Sequence, residues 1–212
     1  KERGEDLSSE IRYFEAEDDL RPAVGGKLDL FRLFAAKAVQ ESAKGGYVGV
    51  IIPMSILADQ QTAGLRRFLL TKTQLLQIEA FPQKDDPSRR VFPEAKLPTC
   101  VIITRKSISD TSSFQVTVHP GKRLDEVSGQ FWRDATDAMA LDDEVMPIPL
   151  LNSDLAVRLV RKICTDSNVQ RIGDICPTYQ GEINETIMAT LLSSDPRVGP
   201  RVLRGGNVQR YN

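Results

Sequence analysis

Histidine occurs once, tryptophan once and cysteine three times in this chain, and each scarcity narrows what it can be. With one histidine, a zinc site would have to be assembled from scattered residues, because zinc takes nitrogen and sulfur ligands at close, regular spacing. Cys100, Cys164 and Cys176 form no CxxC pair, and Cys100 sits inside an apolar run. An odd count so placed argues against a disulfide scaffold and for a reducing, cytoplasmic setting. Long hydrophobic runs are missing too: the apolar stretch from Tyr47 to Leu57 falls far short of the ~20 residues that span a membrane. The first twenty residues are acidic and polar, so no signal peptide is read there, and the start at Lys1 without an initiator Met is read as a fragment. Finally, no sign of charge dominates: 28 Lys and Arg face 29 Asp and Glu, for a formal net charge of −1.

What is present is ordinary for a globular protein. At 212 residues, 41% hydrophobic, the chain can bury one large core or two small ones. Its charge is unevenly laid out. From Thr62 to Lys106 nine basic residues stand against four acidic ones, and Pro196 to Asn212 holds four Arg and no acid. Residues 1–29 carry the opposite balance, five basic against nine acidic. Basic stretches within a neutral chain suit a polyanionic partner, since neutralising phosphates supplies most non-specific affinity for nucleic acid. A solvated surface of mixed charge accounts for the same counts.

The hydrophobic pattern reads as α/β. Leu28, Phe31, Phe34, Ala35 and Ala38 recur every three or four residues, giving one face of a helix with Lys27, Arg32 and Lys37 elsewhere. Lys44-Gly45-Gly46 ends that helix, and because the glycines follow it they are a stop, not a phosphate cradle. Tyr47 to Ile52 reads as a strand buried on both faces, ended by Pro53. A second unit follows: a helix capped by Ser55 or Asp59, with Leu65, Phe68 and Leu69 inward and Arg66 and Arg67 outward, then a strand from Leu75 to Phe81. Further strands are expected at Pro98–Thr104 and Phe114–Val118, and a Ser-capped helix at Ser153–Cys164. Between Phe81 and Pro98 lies a long, polar, basic connection, and one of that length inside a sheet is usually functional. Residues 119–152 are acidic, end in Met146-Pro-Ile-Pro149, and read as a linker.

Four features in order carry a resemblance: Gly26-Lys-Leu-Asp-Leu-Phe-Arg-Leu-Phe34, Gly45-Gly46, the strand into Pro53, and Val91-Phe92-Pro93 before the last apolar strand. Helix–Gly-Gly–strand is common, but the order and spacing across residues 26–106 are similar to TaqI-like, γ-class DNA N6-adenine methyltransferases, whose layout type IIG restriction–modification enzymes share. The resemblance implies transfer of a methyl group from S-adenosylmethionine to the exocyclic nitrogen of an adenine flipped out of double-stranded DNA. On that footing Phe92 is the target-base contact, with Arg89, Arg90 and Lys96 beside it for neighbouring phosphates. Phe34 matches the aromatic beside the cofactor's adenine, and Asp29 stands near the cofactor pocket or simply caps the helix. Composition alone would read Phe92 and Phe34 as core residues.

The family's Asn/Asp-Pro-Pro-Tyr/Phe motif and its glycine-rich cofactor turn are absent, and both would precede Lys1 in the family. The resemblance therefore implies an inactive piece: residues 1–118 as the C-terminal half of a methyltransferase domain, 119–152 as linker, 153–212 as the start of a target-recognition domain. The fold expected is a partial Rossmann-like sheet followed by a small, incomplete α+β region. Its partners would be DNA and the N-terminal half of the same polypeptide, and no membrane. The tail from Arg171 to Cys176, Tyr179-Gln-Gly181 and Val202 to Tyr211 resembles the opening of such recognition domains, which makes Arg201, Arg204, Asn207, Arg210 and Tyr211 candidate DNA contacts. Two other classes fit the residues: a non-catalytic DNA-binding or assembly module of a restriction–modification or defence complex, and a methyltransferase acting on RNA or protein.

Overall fold

The computed structural model describes residues 12–18, 20–25, 28–106, 113–177, 189–195 and 197–198. The chain divides into two compact units, Lys1–Val169 and Gln170–Asn212. In the first, α1 (Leu30–Glu41) leads to β1 (Tyr47–Pro53), α2 (Ala63–Lys72), β2 (Gln74–Phe81), β3 (Thr99–Arg105), β4 (Ser113–Val118), β5 (Gly129–Asp134), α3 (Ala135–Leu141) and α4 (Asp154–Thr165). The second unit, over its described residues, holds the short helix α5 (Ile172–Ile175), exposed throughout, and a 3-10 turn at Ala189–Leu191. Among the described residues no helix is long and apolar enough to cross a membrane.

The five strands form one mixed sheet in the order β1-β3-β2-β4-β5. β3 runs antiparallel to both β1 and β2, so those two are parallel to each other, and β4 runs parallel to β2. β5 closes the sheet as an antiparallel neighbour of β4. The core forms where one sheet face meets the helices: Val48, Val50, Ile52, Ile78, Ile102 and Val116 share a cluster with Leu33, Ala36 and Val39 of α1 and Leu65 and Leu69 of α2. An α/β fold with a partly parallel sheet is what the alternation of helix and strand patterns led one to expect.

Several expectations change in detail. β1 alternates in burial, with Tyr47 68% and Ile51 54% exposed, so it is covered on one face only, and its outer edge pairs with no other described strand. Gly45, at φ 76°, and Gly46, where a Cβ would sit 2.8 Å from the Ala43 carbonyl oxygen, turn α1 into β1 as expected of glycine. Arg32 and Arg66 were expected to face solvent. Both are buried, at 0% and 1% exposure. The Arg32 guanidinium donates to the carbonyls of Gly25 at 2.7 Å and Gln61 at 2.6 Å. Arg66 donates to the carbonyls of Ile56, Asp59, Val145 and Met146 and to the Thr62 hydroxyl. Helical periodicity sorts side chains by polarity, but a guanidinium with five donors can go inward wherever turns leave carbonyls without partners. Burial lowers the Arg66 pKa to about 10, which leaves it charged at neutral pH.

The stretch 119–152, expected to be irregular, contains β5 and α3. Phe131 and Arg133 point inward from β5 while Gln130 and Trp132 point out, a short alternation that the surrounding acidic residues hid. Beyond α3, Met146 and Ile148 are buried, Ile148 donating to the Leu57 carbonyl at 2.7 Å. Met146 adopts φ 51°, a left-handed conformation that costs about 1 kcal/mol away from glycine, and it brings its carbonyl onto Arg66. At the other end of the unit, α4 begins at Ser153 as expected, the hydroxyl accepting from the Ala156 amide at 3.4 Å.

Two predictions follow from this packing. Arg66→Leu leaves several buried carbonyls without donors and should lower stability by roughly 2–4 kcal/mol, read from the urea midpoint; an unchanged midpoint contradicts the role assigned to Arg66. Burial pushes the Cys100 thiol up to about 12, whereas Cys164 and Cys176 are exposed. At mildly alkaline pH a thiol reagent should therefore modify two cysteines rapidly and Cys100 only on unfolding.

Candidate functional site

The long connection between β2 and β3 is anchored by register. Thr99 pairs with Pro53 on one side and Phe81 on the other, so residues 82–98 leave and rejoin the sheet at the carboxyl ends of two parallel strands. In open α/β sheets that is the end where ligands bind. Local hydrogen bonds shape the loop. The Gln83 side chain accepts from the Asp85 amide at 2.8 Å, and Asp86 caps the turn Pro87–Arg89 by accepting from the Ser88 amide at 2.9 Å and its hydroxyl at 2.7 Å. Those Ser88 hydrogen bonds hold the Asp86 carboxyl below the usual carboxylate range. At the tip, the Ala95 amide closes a turn on the Phe92 carbonyl at 3.1 Å, and the Met54 amide ties down Pro98 at 2.9 Å.

Phe92 is not a core residue. Its ring is 49% exposed and lines a cleft of about 120 Å³ with Ile51, Ile52 and Pro53 of β1, Ala95 and Leu97 of the loop, and Thr99. The lining is almost wholly apolar, which suits the face of a flat ring and offers little to bind an amino group or move a proton. At ~300–1,000 Å³ a complete small-molecule pocket is larger, so this cleft by itself is too small to enclose a ligand. A bigger cavity of about 320 Å³ lies apart from it, between the turn Arg21–Ala23 and α2.

The three cations expected beside Phe92 have different fates. Arg90 is buried at 6% exposure and folds back on its own loop, donating to the carbonyls of Lys84 at 2.6 Å, Pro93 at 2.9 Å and Asp85 at 3.4 Å. It therefore shapes the loop and is not free to meet a phosphate. Arg89 is exposed and donates to the Pro120 carbonyl at 2.8 Å, and Lys96 is exposed. The wider basic run behaves similarly: Arg66, Arg67, Arg89, Arg90, Arg105 and Lys106 each donate to main-chain carbonyls, while Lys72 and Lys84 are exposed. Much of the local charge excess serves the fold.

Phe34 lies on the outer face of α1 at 64% exposure, one turn after Leu30 at 79%. The core side of α1 is instead Arg32, Leu33, Ala35, Ala36 and Val39, so Phe34 does not belong to the packed stripe. Asp29 occupies the N-cap position with extended backbone, but its side chain makes no capping hydrogen bond. An exposed aromatic face can stack on a flat ring and a carboxylate without a capping partner can accept from an amino or hydroxyl group, but Phe34 and Asp29 line neither of these cavities. Arg201, Arg204, Asn207, Arg210 and Tyr211 lie outside the described residues. Among the described residues no group of three His, Cys, Asp or Glu is placed to hold a metal ion.

One pair escaped the sequence reading. The ring of His119, the chain's sole histidine, meets the Glu79 carboxylate at 2.5 Å at the base of this loop. Its signal was faint: one histidine just past a strand.

Part of the chain is similar to restriction–modification enzymes. The family described as Eco57I restriction-modification methylase matches residues 5–86, less than half of the chain and short of Phe92. Among solved structures, the type IIG restriction endonuclease BpuSI is 16% identical with a TM-score of 0.39, over 53% of this chain and 15% of its own. The methyltransferase subunit of a type I restriction-modification system from Streptococcus thermophilus is 16% identical with a TM-score of 0.40, over 50% and 22%. The M protein of the type I restriction enzyme EcoKI is 20% identical with a TM-score of 0.37, over 45% and 20%. The chain thus spans less than a quarter of the length of these structures. No curated protein matches it.

The loop geometry makes a direct prediction. Arg90→Ala removes three hydrogen bonds to loop carbonyls and should raise proteolytic cleavage within residues 82–98 about tenfold or more while the sheet stays protected. Cleavage at the wild-type rate would show that the loop does not need Arg90.

Proposed function

We propose that this chain is part of a site-specific DNA N6-adenine methyltransferase of the restriction–modification kind, in which Phe92 forms one wall of the cavity for a flipped adenine. The observation that carries this is the half-exposed Phe92 over an apolar cleft at the carboxyl end of β1. The family match over residues 5–86 supports the same class. A base out of the duplex loses its stacking neighbours, and an aromatic face restores part of that energy, about 1–3 kcal/mol per base.

Phe34 and Asp29 would hold the adenosine of S-adenosylmethionine, which when bound supplies the methyl group. Arg89 and Lys96, exposed on the same loop as Phe92, would meet phosphates flanking the extruded base. Arg89 keeps donors beyond the one on Pro120, so it can bind a phosphate without leaving its anchor. Arg201, Arg204, Asn207, Arg210 and Tyr211 are proposed for contacts to the recognised DNA sequence. No Asn-Pro-Pro or Asp-Pro-Pro occurs in the chain; on this reading residues outside it would engage the adenine amino group, and the chain alone would not methylate.

The test uses the complete polypeptide. Phe92→Ala should lower methyl transfer to duplex DNA by about 5- to 150-fold, the kinetic equivalent of one lost stacking contact, with cofactor affinity held within about twofold. A matching loss of cofactor affinity, or no loss of turnover, sinks the role of Phe92. Binding to duplex DNA should also fall steeply with added salt and favour one sequence, which separates this reading from methylation of protein or RNA.

A further inference from the structure

The cavity of about 320 Å³ between the turn Arg21–Ala23 and α2 shares no lining residue with the Phe92 cleft. Its shape begins with the periodicity of α2. Leu65, Arg66, Leu69 and Leu70 go into the core. Gly64, Arg67, Phe68, Thr71 and Lys72 are left on a second face of the helix, and all five line the cavity. Asp18, Arg21 and Pro22 form the facing wall. Gly64 sets how closely the two walls approach. A Cβ there would sit 2.7 Å from the Pro22 carbonyl oxygen, so only glycine lets this turn rest on the start of α2. The space beside that contact is at the lower end of the ~300–1,000 Å³ that small-molecule pockets occupy, which suits a compact ligand.

The lining says what kind of ligand. Phe68 is half-buried, with part of its side chain against the core cluster, and together with Pro22 it gives the cavity apolar walls. Arg21, Arg67 and Lys72 stand against a single acid, Asp18, so the lining is net positive. Each cation can turn to a ligand. Arg21 pairs with Asp18 at 2.6 Å, but both side chains are largely exposed, and an ion pair in solvent exchanges readily for another anion. Arg67 is exposed and donates through Nη2 to the Asp143 carbonyl, a bond that engages one of a guanidinium's several N–H groups. Lys72 is exposed in the last turn of the same helix face. A metal cation would find one carboxylate, already paired, and a bare anion would leave the apolar walls unused.

We infer that this cavity is a binding site for a small aromatic anion, a flat ring bearing a phosphate, sulfonate or carboxylate. Phe68 and Pro22 lie against the ring, and Arg21, Arg67 and Lys72 surround the charged group, which takes the place of the Asp18 carboxylate on Arg21. The site needs neither DNA nor the Phe92 cleft, so it stands or falls separately from the methyl-transfer reading.

Naphthyl phosphate is the probe, titrated into the 212-residue chain with amide NMR as the readout. Two partial probes accompany it: naphthylmethanol, which has the ring without the charge, and inorganic phosphate, which has the charge without the ring. Naphthyl phosphate should bind with a Kd below about 1 mM and about tenfold more tightly than either partial probe. The amides that shift should lie within residues 18–22 and 63–72, with β4 and β5 unmoved. Arg67→Gln and Lys72→Gln should each weaken binding about fivefold, and so should Phe68→Leu, which keeps apolar bulk and loses the flat ring. Asp18→Asn removes the competing carboxylate and should tighten binding about twofold or more, a gain that damage to the fold would not produce. Absence of saturable binding overturns the inference, and so does either partial probe binding as tightly as the whole. An Asp18→Asn chain that binds no better than wild type also overturns it. Displacement of the probe by duplex DNA would mark this surface as a nucleic-acid contact and overturn the small-molecule assignment.

Discussion

The site depends on one topological constraint, the insertion of β3 antiparallel between two strands that run parallel to each other. Pairing Thr99 with both Pro53 and Phe81 returns the chain to the end of the sheet that it left seventeen residues earlier. The loop in between cannot drift, because both of its ends are held by ladder hydrogen bonds in adjacent strands. Everything proposed about Phe92 uses this: its ring reaches the end of β1 because residues 82–98 must close over that edge. Had β3 paired only at the outside of the sheet, the same sequence would have made an unanchored surface loop.

Around that frame, charge is used in a way that side-chain polarity conceals. Turns on the helix side expose carbonyls at Gly25, Ile56, Asp59, Gln61, Val145 and Met146, and Arg32 and Arg66 enter the core to meet them. Arg90 does the same inside its own loop. Such guanidinium hubs join segments that share no secondary structure, which is why residues 142–148 dock on the turn after β1. The basic excess between Thr62 and Lys106 is thus partly internal scaffolding, which leaves only its exposed remainder for a polyanionic partner.

Much of the architecture was legible in the sequence because it rests on local pattern. The strands around Val50, Ile78, Ile102 and Val116 and the glycine stop at Gly45 and Gly46 follow from apolar runs and a required positive φ. What was not legible depended on distant partners. Periodicity put Phe34 inside and Arg32 outside, while the carbonyls that attract Arg32 lie in two turns far apart in sequence. β5 was hidden because four inward or outward positions amid acidic residues carry too little alternation to stand out. At the candidate site, the role given to Phe92 comes from the resemblance, while its exposure on the loop is seen only in the fold, and the Glu79–His119 pair could not be guessed, since pairing those residues needs the β2–β4 register. Tyr47 and Ile51 show the reverse case: their apolar run read as fully covered, yet β1 presents them on an exposed face at the edge of the sheet.

The claim at the centre is that the Phe92 ring touches the extruded base. Photo-crosslinking in the complete polypeptide tests it most directly, with a light-activated adenine analogue at the target position of a duplex and the attached peptide mapped by mass spectrometry. Attachment within Val91–Ala95, dependent on the recognised sequence and lost in Phe92→Ala, is the result the account predicts. Attachment elsewhere in the enzyme, with none in this loop, contradicts it.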